Sequence, residues 1–226
     1  MGKKIGPILV LSFLGLCPVD LKYVMFKLDD IGGKPGFGHW NSVATTLISN
    51  RIHASFGIIG EQAELYGDSF GFWPWFTNCS TNQIQFWDHT YNHTDCTVLD
   101  ASGQWRQHAR NMNLIRRKTG TVLSGYGAPG NTLNGDSIAV VDQLDDCDFW
   151  FFGHSNTIKK NLLRLGDMEF PTLVPNYTNF LANWGKALSN ASNAGADYLV
   201  LQGHPGSWET NRWTNFQHVL GFLTNQ

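Results

Sequence analysis

The sequence predicts a single α/β domain whose parallel strands close, or nearly close, into a barrel. Short apolar runs rich in β-branched and aromatic residues alternate with stretches whose apolar residues recur at helical spacing, the pattern of strand and helix units in a parallel sheet. About seven such units fit into the chain, and that number favours a barrel over an open sheet. Polar residues gather where the predicted strands end. Asp29, Asp30, His89, His93, Asn131, His154 and His204 all follow such runs, at the face where barrel active sites are built. The alternative, an open doubly wound sheet that binds a nucleotide, would need a glycine-rich phosphate loop, and Gly32-Gly33 lacks the G-x-G-x-x-G spacing.

Residues 23–28 form the first apolar run and lead into Asp29-Asp30 and a glycine-rich turn over 31–36, which places both carboxylates at a strand end. Trp40, Val43, Ala44, Leu47 and Ile48 follow at helical spacing, and 54–60 reads as the second strand. The segment 61–82 is long, aromatic and without clear period. Such a stretch in a compact domain is expected to be a functional loop, here a wall of a substrate cleft on which Trp73 and Trp75 meet a ligand. A third strand at 84–87 runs into His89 and His93. A polar helix over 103–118 ends at Gly120, and 121–126 reads as a strand closing on Gly127-Ala128-Pro129-Gly130-Asn131. A helix at 137–144, a strand at 149–152, a further short strand at 169–174 and a helix at 180–191 follow. The buried strand 198–202 then ends in Gly203-His204-Pro205, before a last helix at 213–223.

A chain of 226 residues with 42% hydrophobic content suits one domain with a sizeable core. The formal net charge of -2, with no basic run longer than Arg116-Arg117-Lys118, excludes an electrostatic case for nucleic acid. A neutral substrate such as a sugar polymer fits better. At the N-terminus, Lys3-Lys4, a mostly apolar run over 5–16 and Cys17-Pro18 resemble a short signal peptide; the alternative is a first buried strand. The run is too short for a membrane span, so no stable membrane insertion is expected. Residues 1–21 are therefore set apart from a catalytic domain over 22–226, and a secreted, periplasmic or cell-surface location is expected. Cys17, Cys79, Cys96 and Cys147 show no zinc-ribbon spacing, but in an exported protein Cys79 and Cys96 could pair.

The chemistry centres on His89 and His93. On a helical turn, residues four apart share a face and can share one ion, and neutral imidazole is a common zinc ligand. Two ligands do not make a site, and the pair Asp29-Asp30 supplies the obvious carboxylate. The order Asp29-Asp30, His89-Thr90-x-x-His93, Ala128-Pro129 and Leu201-x-x-His204-Pro205 resembles the polysaccharide deacetylases, the NodB-homology superfamily that includes carbohydrate esterase family four. The similarity runs from about residue 23 to the C-terminus.

That resemblance implies a distorted (β/α)7-type barrel and a metal-dependent hydrolase that removes acetyl groups from an N-acetylated polysaccharide. By position, Asp30, His89 and His93 would hold a divalent metal, most simply Zn2+; Asp29 would be the base that activates water, and His204 the acid. Trp73, Trp75, Pro129, Asn131 and Trp208 would contact the acetylated glycan. An O-acetyl esterase or other amidase on the same site, or a catalytically weak glycan-binding module, are the alternatives. Two departures from the family pattern stand out. The first motif reads Lys27-Leu28-Asp29-Asp30-Ile31 in place of Thr-Phe-Asp-Asp-Gly, and Gly127 stands where the third motif has an arginine that orients the base. Asn131 is the expected substitute for that arginine.

Overall fold

The computed structural model describes residues 21–32, 37–169 and 175–225. Its strands are β1 (Tyr23–Ile31), β2 (Ala54–Ile58), β3 (Ile84–Asp88), β4 (Gly125–Gly127), β5 (Phe149–Phe151), β6 (Lys160–Leu162) and β7 (Tyr198–Gly203). They form one parallel sheet in the order β6-β5-β4-β3-β2-β1-β7. The Tyr198 hydroxyl spans the seam between the outermost strands: it accepts from the Leu163 amide at 3.1 Å and donates to the Asn161 carbonyl at 3.5 Å. The result is a nearly closed seven-stranded barrel.

Helices α1 (Phe37–Ser49), α2 (Gly60–Tyr66), α3 (Phe72–Asn82), α4 (Ala101–Thr119), α5 (Gly135–Asp142), α6 (Tyr177–Asn193) and α7 (Thr210–Thr224) complete the domain. α4 shows how local chemistry sets the limits. Asp100 accepts from the Gly103 amide at 2.7 Å at its start, and Gly120, at φ 72°, ends it in the left-handed conformation that glycine adopts without strain.

Alternation along the strands divides the core in two. In β1, Val24, Phe26 and Leu28 join the apolar layer under the helices, together with Phe56, Phe86, Leu199 and Leu201. Met25 points the other way, into a smaller cluster with Trp87, Phe149, Phe151, Leu162 and Val200 that fills the barrel interior. Glycines make room for it. A Cβ on Gly57 would sit 2.3 Å from the Trp87 ring, and one on Gly127 would sit 2.5 Å from the same ring, so each neighbouring strand yields its side-chain volume to one indole. Lys27, one step up from Met25 on the same face, is fully buried there.

Several expectations are corrected. The segment 61–82 is not a loop: α2 and α3 occupy it, and Phe72, Trp73, Phe76 and Cys79 are buried. The buried residues of α3 do recur at helical spacing, but Phe70 and Trp75, aromatic and off that face, hide the period in the sequence. β4 begins only at Gly125, with 121–124 irregular, and β6 is a strand that apolar patterning did not reveal, since its residues are Lys-Asn-Leu. Cys79 and Cys96 are both buried free thiols rather than a disulfide. Cys79 lies in the layer under the helices, whereas the Cys96 sulfur is 3.3 Å from the Tyr126 hydroxyl. The segment expected as a leader or first strand, and all but Glu169 of the strand expected at 169–174, lie outside the described residues. Among the described residues, no helix is long and apolar enough to cross a membrane.

Candidate active site

Adjacent residues of a regular strand point to opposite faces, so Asp29 and Asp30 can meet only where regularity fails. It fails inside β1. The register with β2 shifts between Leu28 and Ile31, and Asp30 takes φ 74°, which a non-glycine residue holds only when its surroundings demand it. Asp29 therefore keeps the interior direction of Met25 and Lys27, while Asp30 is turned toward the barrel mouth. The strand does not end before Asp29, as its sequence implied, but runs to Ile31, and a bulge within it turns the two carboxylates.

His89 and His93 are brought together by a turn, not by a helix. After β3 the chain passes through Thr90 at φ 63° and reaches His93 at φ 61°. The turn is tied from behind by Asp88, whose carboxylate accepts from the Thr90 amide at 3.0 Å, from Asn111 Nδ2 at 2.5 Å and from the Nδ1–H of buried His108 at 2.5 Å. The Glu61 amide, in the first turn of α2, donates to the Tyr91 carbonyl at 2.6 Å. Asn131 and Phe152, which follow β4 and β5, also have positive φ. Unusual backbone is thus concentrated at the C-terminal strand ends.

Asp30 Oδ1 lies 3.1 Å from His89 Nε2 and 3.0 Å from His93 Nε2. One ligand-type atom from each of these residues lies within 4.8 Å of the others. Because a carbonyl can only accept, the contact of His89 Nδ1 with the Gly127 carbonyl at 2.6 Å must be an N–H donation. In the neutral ring this leaves the Nε2 lone pair aimed at the same point as the carboxylate, the arrangement by which an outer partner orients a metal-binding imidazole. When the two rings instead carry protons on Nε2, burial raises the Asp30 carboxyl, but the hydrogen bonds and charge of His89 and His93 outweigh it and hold the group well below the usual carboxylate range. One ionised carboxylate and two imidazoles at this spacing fit a divalent cation of the zinc type.

Beside this triad, Asp29 is almost fully buried. Its Oδ2 accepts from Lys27 Nζ at 2.5 Å and from Gln202 Nε2 at 2.9 Å. Its Oδ1, also buried, accepts no hydrogen bond among the described residues. Burial draws the Lys27 ammonium below its ordinary value while Asp29 pushes it back up. His204 approaches from the end of β7, with Nε2 3.8 Å from Asp29 Oδ2. Its other nitrogen, Nδ1, meets Glu169 Oε2 at 2.6 Å, and its amide donates to Glu169 Oε1 at 2.9 Å. Burial lowers the His204 pKa, but the Glu169 hydrogen bond and the charges of Asp29 and Glu169 prevail and raise it to about 9.

The structure therefore gathers Asp29, Asp30, His89, His93 and His204 at one mouth, and gives the expected glycan contacts other tasks. Trp73 is 8% exposed, edge-on to Phe72 at 5.1 Å, and Trp75 is wedged among Phe37, Phe56, Phe72 and Phe86. Trp208, 2% exposed, donates through Nε1 to Glu169 at 2.8 Å and packs on Phe216. Pro129 is buried at the start of a short turn over Pro129–Asn131. Asn131 is the exception: partly exposed, it donates to Gln202 at 3.2 Å and accepts from Lys27 at 3.5 Å. It touches the groups that hold Asp29 rather than Asp29 itself.

Lys27, Gln202 and Glu169 are the site residues that sequence reasoning missed. Lys27 carried a signal, because residues two apart on a strand share a face and Lys27-x-Asp29 puts cation beside carboxylate. Glu169 carried none: it lies 35 residues from His204, at the start of a stretch read only as a further short strand.

Fold and site together define the class: an imperfectly closed seven-stranded (β/α) barrel with a carboxylate and imidazole centre at its strand ends. The chain belongs to the polysaccharide deacetylase family, whose profile matches residues 18–145. No curated protein matches it by sequence. Among solved structures, a CE4 family pseudoenzyme from Bacillus anthracis superposes with a TM-score of 0.59 at 12% identity, over 90% of this chain and 60% of that one. The peptidoglycan deacetylase PdaC from Bacillus subtilis gives 0.58 at 14%, over 89% and 83%. A family 4 acetyl xylan esterase from Clostridium thermocellum, in complex with a cobalt ion, gives 0.60 at 13%, over 89% and 83%. At these identities the likeness is one of fold, and the chain spans only about 60% of the length of the first of them.

Proposed function

We propose that the protein is a metal-dependent hydrolase that removes acetyl groups from an N-acetylated polysaccharide. The observation that carries this reading is the division of labour on Asp29: one carboxylate oxygen is taken by Lys27 and Gln202, and the other accepts nothing, beside a three-residue centre suited to a cation. Asp30, His89 and His93 would hold the ion, which when bound polarises the acetyl carbonyl and acidifies water. Asp29 Oδ1 takes the proton from the attacking water. His204, held in its charged form at neutral pH, gives its Nε2 proton to the departing nitrogen, since Nδ1 is engaged with Glu169.

This proton donor favours an amide over an ester. An amine leaves poorly unless protonated, whereas an alkoxide has less need of an acid already charged at neutral pH. The family membership and the peptidoglycan deacetylase of the same fold support a glycan substrate. Retention of Asp29, Asp30, His89, His93 and His204 speaks against a pure binding module. The test is acetate release from N-acetylated glycans and from O-acetylated xylan, with chelator and with zinc restored. Zinc-dependent release from the N-acetylated set is expected; no release from any substrate in the presence of zinc would overturn the proposal.

A further inference from the structure

We propose that Lys27 is the residue that positions the base Asp29, supplying from inside the barrel the fixed positive charge that the third motif, with Gly127, does not. This rests on the reading of Asp29 as the base. Lys27 lies in β1 with its side chain fully buried, Met25 below it, the rings of Trp87, Phe151 and Phe152 around it, and Asp29 and Asn131 at its charged end. A buried ammonium is costly, and a buried ion pair is seldom more stabilising than well-packed apolar side chains of the same volume. Packing therefore gives no reason for a lysine at this level of the barrel, where a methionine would serve. What the lysine adds is charge at one point, its Nζ 2.5 Å from Asp29 Oδ2.

The neighbours shape that charge. The ammonium stands over the Trp87 ring at 5.0 Å and the Phe152 ring at 5.1 Å, and such ring faces attract a cation without offering it an anion. Asn131 Oδ1 accepts from it at 3.5 Å. Asp29 is the only carboxylate in ion-pair contact with it among the described residues, with Asp30 acting from farther off. Gln202, opposite Lys27 across the β1–β7 ladder, completes the grip on Oδ2. Both holders engage the same oxygen, which leaves Oδ1 as the atom that can receive a proton.

The position of the cation also follows from space. A side chain rooted at Gly127 would begin 2.5 Å and 2.9 Å from Trp87 ring carbons and 3.2 Å from Lys27 Cε. The region through which a residue of β4 would reach Asp29 is filled by the indole and by the lysine stem itself. With Trp87 and Lys27 so placed, a β4 side chain starts in crowded space, whereas β1 already presents its charge to Asp29.

The test uses the full chain loaded with zinc and compares wild type, Lys27→Met, Asp29→Asn and the double variant. Lys27→Met keeps the volume and removes the charge. It is expected to lower kcat by about a hundredfold, on the order of a lost general base, with KM and zinc content within about twofold of wild type. In the Asp29→Asn background the same substitution is expected to cost nothing more, because residues that act as a unit are not additive. A crystal structure of Lys27→Met should show the Asp29 carboxylate turned from its present direction. If Lys27→Met alone proves unstable, the double variant, which leaves no unpaired buried charge, carries the structural comparison, with Asp29→Asn as its reference. Losses that multiply in the double variant, or an unmoved Asp29 with full turnover in Lys27→Met, would overturn the proposal. A wild type that releases no acetate, while Asp29 turns away in Lys27→Met, would uphold the positioning role and sink the deacetylase reading instead.

Discussion

Replacing Glu169 by Gln isolates the effect of one buried charge on the candidate acid. The carboxamide keeps an oxygen for the His204 amide and for Trp208 Nε1, which Glu169 Oε1 now accepts at 2.9 Å and 2.8 Å, so the local fold should persist. What is lost is the anion 2.6 Å from His204 Nδ1. The present pKa of about 9 lies above the ordinary 6.5, a difference of about 3 kcal/mol in favour of the charged ring. Without Glu169, burial pulls against the charged form and only the carboxylates of Asp29 and Asp30 support it, so the pKa falls toward 6.5.

The sign follows directly, because the acid must carry its proton: activity is retained below the His204 pKa and lost as pH rises through it. At pH 8 a group titrating near 9 is about nine-tenths protonated, whereas one titrating near 6.5 is only about 3% protonated. Glu169→Gln should therefore lose about thirtyfold in kcat/KM at pH 8 and almost nothing at pH 6. The assay is acetate release across pH 5.5 to about 9.5, with the His204 ring titrated by NMR on the same samples. A loss equal at all pH values, or an unchanged basic limb, would refute the argument and leave Glu169 a packing residue.

Asp29→Asn should retain zinc, measured by elemental analysis, while turnover falls by a hundredfold or more, on the order expected for a positioned base; loss of the metal would exchange its role with that of Asp30. Asp30→Asn should do the reverse, with zinc lost first and acetate release in consequence, recovered in part at high added zinc. Trp75→Ala should act on stability, by about 2 kcal/mol, less than for a fully buried aromatic ring because Trp75 is half-buried, read from urea unfolding. Its KM should be unchanged for polymer and short analogue alike, and a KM effect confined to the polymer would return Trp75 to the cleft.

Much of the barrel was legible because parallel strands buried on both faces are written as apolar runs and their helices as spaced apolar residues. β1, β2, β3, β5 and β7 lie where 23–28, 54–60, 84–87, 149–152 and 198–202 predict them, with boundaries shifted by one to three residues. Asp29-Asp30, the histidine pair and His204 were legible as candidates because strand ends are where a barrel exposes chemistry. The absence of an arginine at 127 was legible too. The sequence shows which residue types are present at each strand end and which of them share a face of one strand.

Only the tertiary structure decided how those groups act on one another. Asp30 reaches the mouth because a bulge and a positive φ break the alternation that would have hidden it, and no residue type at that position announces such a bulge. His93 joins His89 through a turn tied down by Asp88, Asn111 and His108, partners about twenty residues away whose pairing depends on how α4 packs on the sheet. Trp73 and Trp75 were expected on a sugar surface because an aromatic ring satisfies a core and a sugar surface equally well, and only the neighbours distinguish them. Lys27, Gln202 and Glu169 became part of the site for the same reason. Periodicity states which way a side chain points, while the charge or ring it meets there is set by strands and loops that the chain brings back from far along its length.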